Sequence, residues 1–202
     1  MDLLIATQNK GKLREYRAIV AGLNINALSL DDVGLGKLDV EETGDTFKAN
    51  AELKAAAYAQ ASGKLSLADD SGLCVDALDG APGVYSARYA GEGASDADRR
   101  AKLLAALKDI PDEQRTAYFM CAIAVFNPQQ QTPYVSLGKF NGKIAHEESN
   151  GQHGFGYDPI FIPDGYNVTL ADIPPDEKNR ISHRALAAQQ MRPVLERLAK
   201  GL

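Results

Sequence analysis

The run from Thr116 to Phe126 constrains the fold more than any other stretch. It is strand-like throughout, and Asn127-Pro128-Gln129-Gln130-Gln131-Thr132-Pro133 follows with the prolines and polar residues of a turn. Tyr134 to Ala145 reads as the returning strand. No helix separates the two strands, so they form a hairpin, and a sheet that contains them is mixed and not purely parallel. The N-terminal end has another grammar. Leu3-Leu4-Ile5-Ala6 is a short buried strand and Thr7-Gln8-Asn9-Lys10-Gly11-Lys12 a polar loop. Leu13, Tyr16 and Val20 then recur at helical spacing through about Ala21. A hairpin in one place and strand–loop–helix in another give an α/β class with a mixed sheet.

Between these landmarks the pattern supplies further elements. A second strand fits near Asn26 to Leu30, and Leu38-Asp39-Val40-Glu41-Glu42 is extended in character and ends in carboxylates. A long alanine-rich helix runs from about Thr46 to Ser62, with Asp45 or Thr46 as its N-cap. Phe47, Asn50, Ala51, Lys54 and Tyr58 share one face of it. Asn50 and Lys54 either border that stripe and reach water or point into a polar cleft. Ser66-Leu67-Ala68 ends a buried strand, and Asp69-Asp70-Ser71-Gly72 has the residues of a turn, with Gly72 free to adopt a φ that others resist. Alternation along the strand points Asp69 and Asp70 in different directions. Gly80 to Tyr89 is a loop punctuated by glycine and proline. Ser95 with Asp98 makes a capping box before a helix through Leu107 that Pro111 ends. Pro174 to Leu202 is helical, kinked at Pro193, with Lys178, Arg180, His183 and Arg184 near its start, against the helix dipole.

Composition narrows the function. The chain of 202 residues is read as a single domain, 1–202, long enough to bury a sizeable core. A net charge of −5 excludes a broad surface for a nucleic-acid polymer but leaves room for a small nucleotide in a local basic pocket. No stretch is long enough to cross a bilayer, and Met1 to Thr7 lacks the basic start of a signal peptide, so no membrane partner and a soluble, cytoplasmic protein are expected. Cys74 and Cys121 both lie in apolar runs and read as buried small hydrophobes in a reducing compartment. His146, His153 and His183 lack zinc-ligand spacing, and neither a P-loop nor a Gly-x-Ser-x-Gly elbow is present.

What remains is a set of groups suited to a nucleoside polyphosphate. Glu41, Glu42, Asp69 and Asp70 are oxygen ligands of the kind a hard cation such as Mg²⁺ prefers. Lys10 and Lys12, beside the amides of a helix N-terminus, suit phosphate, as do Lys54 and Arg88. Phe155, flanked by Gly154 and Gly156, is either a stacking platform for a base or a loop aromatic folded onto the core. Lys178, His183 and Arg184 are donors for a base edge.

Six motifs in order make the chain resemble the inosine triphosphate pyrophosphatases over nearly its whole length. They are Thr7 to Lys12, Glu41 to Gly44, Ala68 to Leu73, Gly80 to Tyr89, Gly154 to Pro159 and Glu177 to Arg184. The resemblance implies hydrolysis of ITP, dITP and XTP to the monophosphate and pyrophosphate, with Mg²⁺ as cofactor. It implies a fold of two lobes around a long mixed sheet with flanking helices, the active site in the cleft, and a homodimer. It further implies Asp70 as proton acceptor and metal ligand and Glu42 as second ligand. Thr7, Gln8, Asn9, Lys10, Gly11, Lys12 and Ser71 would contact substrate. Phe155, Gly156, Tyr157, Asp158, Lys178, His183 and Arg184 would hold the nucleotide, largely at its base. One departure is Gln8, where the family usually has glycine.

Overall fold

A computed structural model describes residues 1–130 and 132–201. Strands β1 (Asp2–Ile5), β2 (Asn26–Leu28), β3 (Ser66–Val75), β4 (Thr116–Phe126), β5 (Tyr134–Ile144) and β6 (Phe161–Pro163) form one sheet in the order β2-β1-β3-β4-β5-β6. β1 runs parallel to β2 and β3, whereas β5 and β6 are antiparallel, so the sheet is mixed as the hairpin requires. Helices α1 (Lys10–Val20), α2 (Phe47–Ser62), α3 (Asp96–Ala106), α4 (Pro175–Ile181) and α5 (His183–Ala199) accompany it. Gln131, in the turn expected between β4 and β5, and Leu202, at the end of the expected C-terminal helix, lie outside the described residues.

The chain divides into two compact units. The first holds Met1–Asp70, Cys121–Gly138 and Arg184–Leu202, the second Ser71–Met120 and Lys139–His183. In the first unit, odd-numbered Leu3, Ile5, Leu67, Cys121, Ile123 and Val125 pack with Tyr16 and Val20 of α1 and Ala187, Met191 and Leu195 of α5. Even-numbered Leu4, Ala6, Ala68, Ala122 and Ala124 pack with Ala51, Ala55 and Tyr58 of α2. Period-two alternation thus puts α1 and α5 on one face of these strands and α2 on the other. In the second unit, Leu73, Val75, Ala117, Phe119, Ile144 and Phe161 pack with Leu103 and Leu107, and buried Arg115 donates to the carbonyls of Leu107, Ile144 and Ala145.

Two local expectations are corrected. Asp69-Asp70-Ser71-Gly72 is no turn: β3 runs through it to Val75, and Gly72 lies within the strand. Strand pairing overrode turn propensity there, because both flanks of the stretch are buried apolar residues. The C-terminal segment is two helices, broken at Ser182, whose backbone is extended (φ −65°, ψ 162°). Lys178 and Arg180 therefore fall in the last turn of α4, where the dipole favours cations. α5 continues through Pro193.

Candidate active site

The two aspartates of β3 take opposite faces, as alternation requires. Asp69, odd-numbered, joins the face of α1 and α5. Its carboxylate lies 2.9 Å from Lys12 Nζ and 3.5 Å from Arg184 Nε, and it is 3 % exposed. Arg184 also pairs with Glu15 at 2.8 Å, so α1, β3 and α5 are joined by one buried charge network. Burial pushes Asp69 up, but Lys12, Arg184 and Lys54 outweigh it and hold the carboxyl below the ordinary range. Beside it the Cys121 thiol, within 3.7 Å of Tyr16 Oη, is pushed up to about 12, chiefly by burial. It is a buried, inert thiol, and Cys74 is likewise unpaired and buried.

Asp70, even-numbered, joins the face of α2. Its Oδ2 accepts from Asn50 Nδ2 at 3.0 Å, and its Oδ1 lies 3.7 Å from Lys54 Nζ. Lys54 also donates to Glu42 Oε1. Glu42 and Asp70 therefore share one cation, and Asn50 and Lys54 point into a polar interior and not to water. Burial pushes Asp70 up; Lys54 pulls it back, Glu42 adds to the rise, and the result lies above the ordinary carboxylate value of 3.8. Lys54 loses by burial but gains more from Asp70, Asp69 and Glu42, which keep it protonated.

The first loop differs from its expected form. α1 begins at Lys10, so Lys10, Gly11 and Lys12 are its first turn and not loop residues. Asn9 is the N-cap, and its Oδ1 accepts from Gly11 N and Lys12 N. Thr7 Oγ1 accepts from Asn9 N at 3.2 Å. Two of the amides suited to phosphate thus already have a partner. Gln8 donates through Nε2 to the Leu38 carbonyl, which also accepts from Tyr58 Oη, so the departure from glycine ties this loop to the segment before Glu42. Lys10 is exposed.

The second unit gathers the aromatic group. Phe155 is half-buried, outside the second unit's apolar cluster, with Lys178 Nζ 4.8 Å from its ring centre. Lys178 is buried and pairs with Asp158 Oδ2 at 2.7 Å, and the same oxygen accepts from Phe155 N. Gly154 has φ +79°, and a Cβ there would collide with that carboxylate, so only glycine fits. The Gly156 peptide is held from both sides: its N–H donates to Asp96 and its carbonyl accepts from Arg100 at the start of α3. Tyr157 is buried and donates through Oη to the Ser86 carbonyl. His183 is buried and stacked on Phe119, with centroids 4.7 Å apart. Ser71 follows Asp70 along β3 and is half-buried. Arg88 lies over exposed Tyr85.

Lys178, His183 and Arg184 are expected to serve one base edge. Among their contacts in the structure, Lys178 pairs with Asp158, His183 stacks on Phe119, and Arg184 pairs with Glu15 and Asp69. Glu15 went unnoticed, although its i, i+3 spacing from Lys12 marked it as a neighbour on the same helix face. Asp96 and Arg100 also went unnoticed, and no sequence signal links them to the glycine-rich loop.

The Ham1 family pattern matches residues 3–194. A dITP/XTP pyrophosphatase of Oceanobacillus iheyensis is 47% identical over 94% of this chain and 95% of its own length. One of Geobacter sulfurreducens is 50% identical over 92% of each. Among solved structures, a HAM1 protein from Coxiella burnetii superposes with a TM-score of 0.87 at 43% identity, covering 96% of this chain and 98% of its own. With a family pattern that spans nearly the whole sequence and relatives this similar over their full length, the chain belongs to the Ham1 family.

Proposed function

We propose that this chain hydrolyses ITP, dITP and XTP to the nucleoside monophosphate and pyrophosphate, clearing aberrant purine nucleotides from the precursor pool. The observation that carries this reading is the convergence of Glu42 and Asp70 on a single cation, in a chain whose full-length relatives are named dITP/XTP pyrophosphatases. Among the described residues no group of three or more His, Cys, Asp or Glu side chains could hold a metal. Two carboxylates still suit Mg²⁺, which takes oxygen ligands, keeps several waters and binds substrate phosphates. Glu42 and Asp70 would hold it, and when bound it supplies charge neutralisation and orientation of the triphosphate.

The chain's own groups divide the remaining work. Asp70 accepts a proton from the water that attacks the α-phosphorus, and pyrophosphate leaves. Its pKa, raised chiefly by burial, makes it a better base than an ordinary carboxylate. Thr7 to Lys12, Ser71 and Lys54 serve the phosphates and sugar. Phe155 offers a face to the base, and Lys178, held in place by Asp158, donates to a 6-oxo group. A 6-amino group in that position leaves the ammonium unmatched, which disfavours adenine. Gly156, Tyr157, Asp158, His183 and Arg184 belong to the nucleotide site as residues that shape and charge it. A homodimer in the cytoplasm completes the reading; the two free thiols suit a reducing compartment, and no helix among the described residues is long and apolar enough to cross a membrane. Sedimentation analysis tests the dimer.

Product analysis tests the reaction. ITP, XTP, GTP and ATP are each incubated with Mg²⁺ and with EDTA. Monophosphate and pyrophosphate from ITP and XTP, little from ATP and GTP, and none with EDTA are expected. Orthophosphate and diphosphate would place attack at the γ-phosphorus and overturn the mechanism. Tight ITP binding without product would make the protein a nucleotide sensor.

A further inference from the structure

Asn50 is a polar side chain with no exposed surface, on the face of α2 that buries Ala51, Ala55 and Tyr58. Such a group is costly to bury unless both ends of its amide are used. Both are. Nδ2 donates to Asp70 Oδ2 at 3.0 Å, and Oδ1 accepts from Gly44 N at 2.7 Å. The orientation is forced, since the Gly44 N–H can only donate and an ionised carboxylate can only accept. Gly44 stands two residues after Glu42. A Cβ on it would lie 2.7 Å from Asn50 Oδ1 and 2.8 Å from Ala49 Cβ, so the backbone approaches α2 as closely as glycine allows. One amide therefore ties the segment that carries Glu42 to the carboxylate of Asp70.

We infer that Asn50 is a positioning residue for hydrolysis. By holding Asp70 Oδ2 and the Gly44 backbone together, it sets the Glu42 and Asp70 carboxylates relative to each other. It touches no substrate and acts through Asp70. The inference rests on the pyrophosphatase reading and deepens it, since it concerns the same pair of carboxylates. A purely apolar residue of similar volume would fill the space but would leave the Gly44 N–H without its acceptor and remove the Asn50 donor from Asp70 Oδ2.

The test measures ITP hydrolysis by wild type, Asn50→Ala and Gly44→Ala, and by Asn50→Ala in an Asp70→Asn background, with amide hydrogen exchange at Gly44. Asn50→Ala is expected to lower kcat by about ten- to a hundredfold, the worth of a hydrogen bond to a charged group, with KM nearly unchanged. Gly44→Ala, which keeps the Asn50 amide but displaces the segment, lowers kcat in the same sense and serves should Asn50→Ala fold poorly. In the Asp70→Asn background the further loss is small, because the residue acts through Asp70. Gly44 loses its exchange protection in Asn50→Ala. Wild-type kcat in both single variants, or the same loss factor in both backgrounds, would overturn the inference while wild-type turnover keeps the reading intact. Wild type that releases no pyrophosphate from ITP would overturn the reading and the inference with it, even with the Gly44 exchange difference present.

Discussion

Asp69 and Asp70 are consecutive residues on one strand, both nearly buried, yet their surroundings are opposite in effect. On the α1 and α5 face, Lys12 and Arg184 flank Asp69, and the charge of the pair cations exceeds the cost of burial. On the α2 face, Asp70 lies beside Lys54, which it shares with Glu42, and burial prevails. The first carboxylate is stabilised by its ionisation; the second is made uncomfortable by it. A group held below its ordinary pKa is committed to an ion pair, whereas one held above it retains affinity for a proton. Under the proposed function, adjacent positions of one sequence have different work, the first in the fold and the second in the reaction.

The largest expected effect separates them at once. Asp70→Asn should lower kcat about 10²–10⁴-fold, the usual contribution of a general base, while nucleotide binding survives; single-turnover assays with ITP check it. Asp69→Asn should cost about 3 kcal/mol of stability, since it leaves buried cations short of a partner, and denaturant titration reads that loss.

The pH dependence sharpens the contrast. Asp69 has a folded pKa below its unfolded value, so its contribution to stability is present above the unfolded value of 3.8 and is lost as pH falls through the folded pKa. Asp70 has a folded pKa above 3.8, so the folded state is favoured while it is protonated, and stability declines as pH rises through its folded pKa. As the proposed base it must be ionised, and in the metal-free protein its carboxyl should titrate above 3.8. Carboxylate NMR titration without metal or substrate checks this. A titration at or below the ordinary carboxylate value would contradict the assignment.

Smaller effects probe the second unit and the first loop. Phe155→Ala should weaken nucleotide binding by about 1–3 kcal/mol, the range for a lost stacking partner; unchanged KM and kcat would return that ring to a packing role. Gln8→Gly should cost about 0.5–1.5 kcal/mol at most, since a single neutral hydrogen bond to Leu38 is lost. Thermal melting registers it.

Periodicity made much of this legible beforehand. The β4 and β5 runs, the Thr46 cap of α2 and the Ser95–Asp98 box appear where the spacing puts them. Alternation anticipated the divergence of Asp69 and Asp70. At Asp69 to Gly72 local propensity favours a turn, whereas the buried strand on both sides prevails once neighbouring strands are present. No glycine marks the break at Ser182, so the sequence alone predicts one continuous helix there. The pairing of Arg184 with Glu15 spans 169 positions, and the clasp of Asp96 and Arg100 on Gly156 spans 60 and 56, which no local pattern encodes.

The division of labour on β3 is tested most directly by melting wild type, Asp69→Asn and Asp70→Asn side by side at neutral pH. Asp69→Asn should melt about 6–12 °C below wild type, given about 2–4 °C per kcal/mol for a chain of this size. Asp70→Asn should melt at or above wild type, because the substitution removes an ionised carboxylate that the fold disfavours. Equal losses in the two variants, or a loss confined to Asp70→Asn, would contradict the assignment of Asp69 to the fold and Asp70 to the reaction.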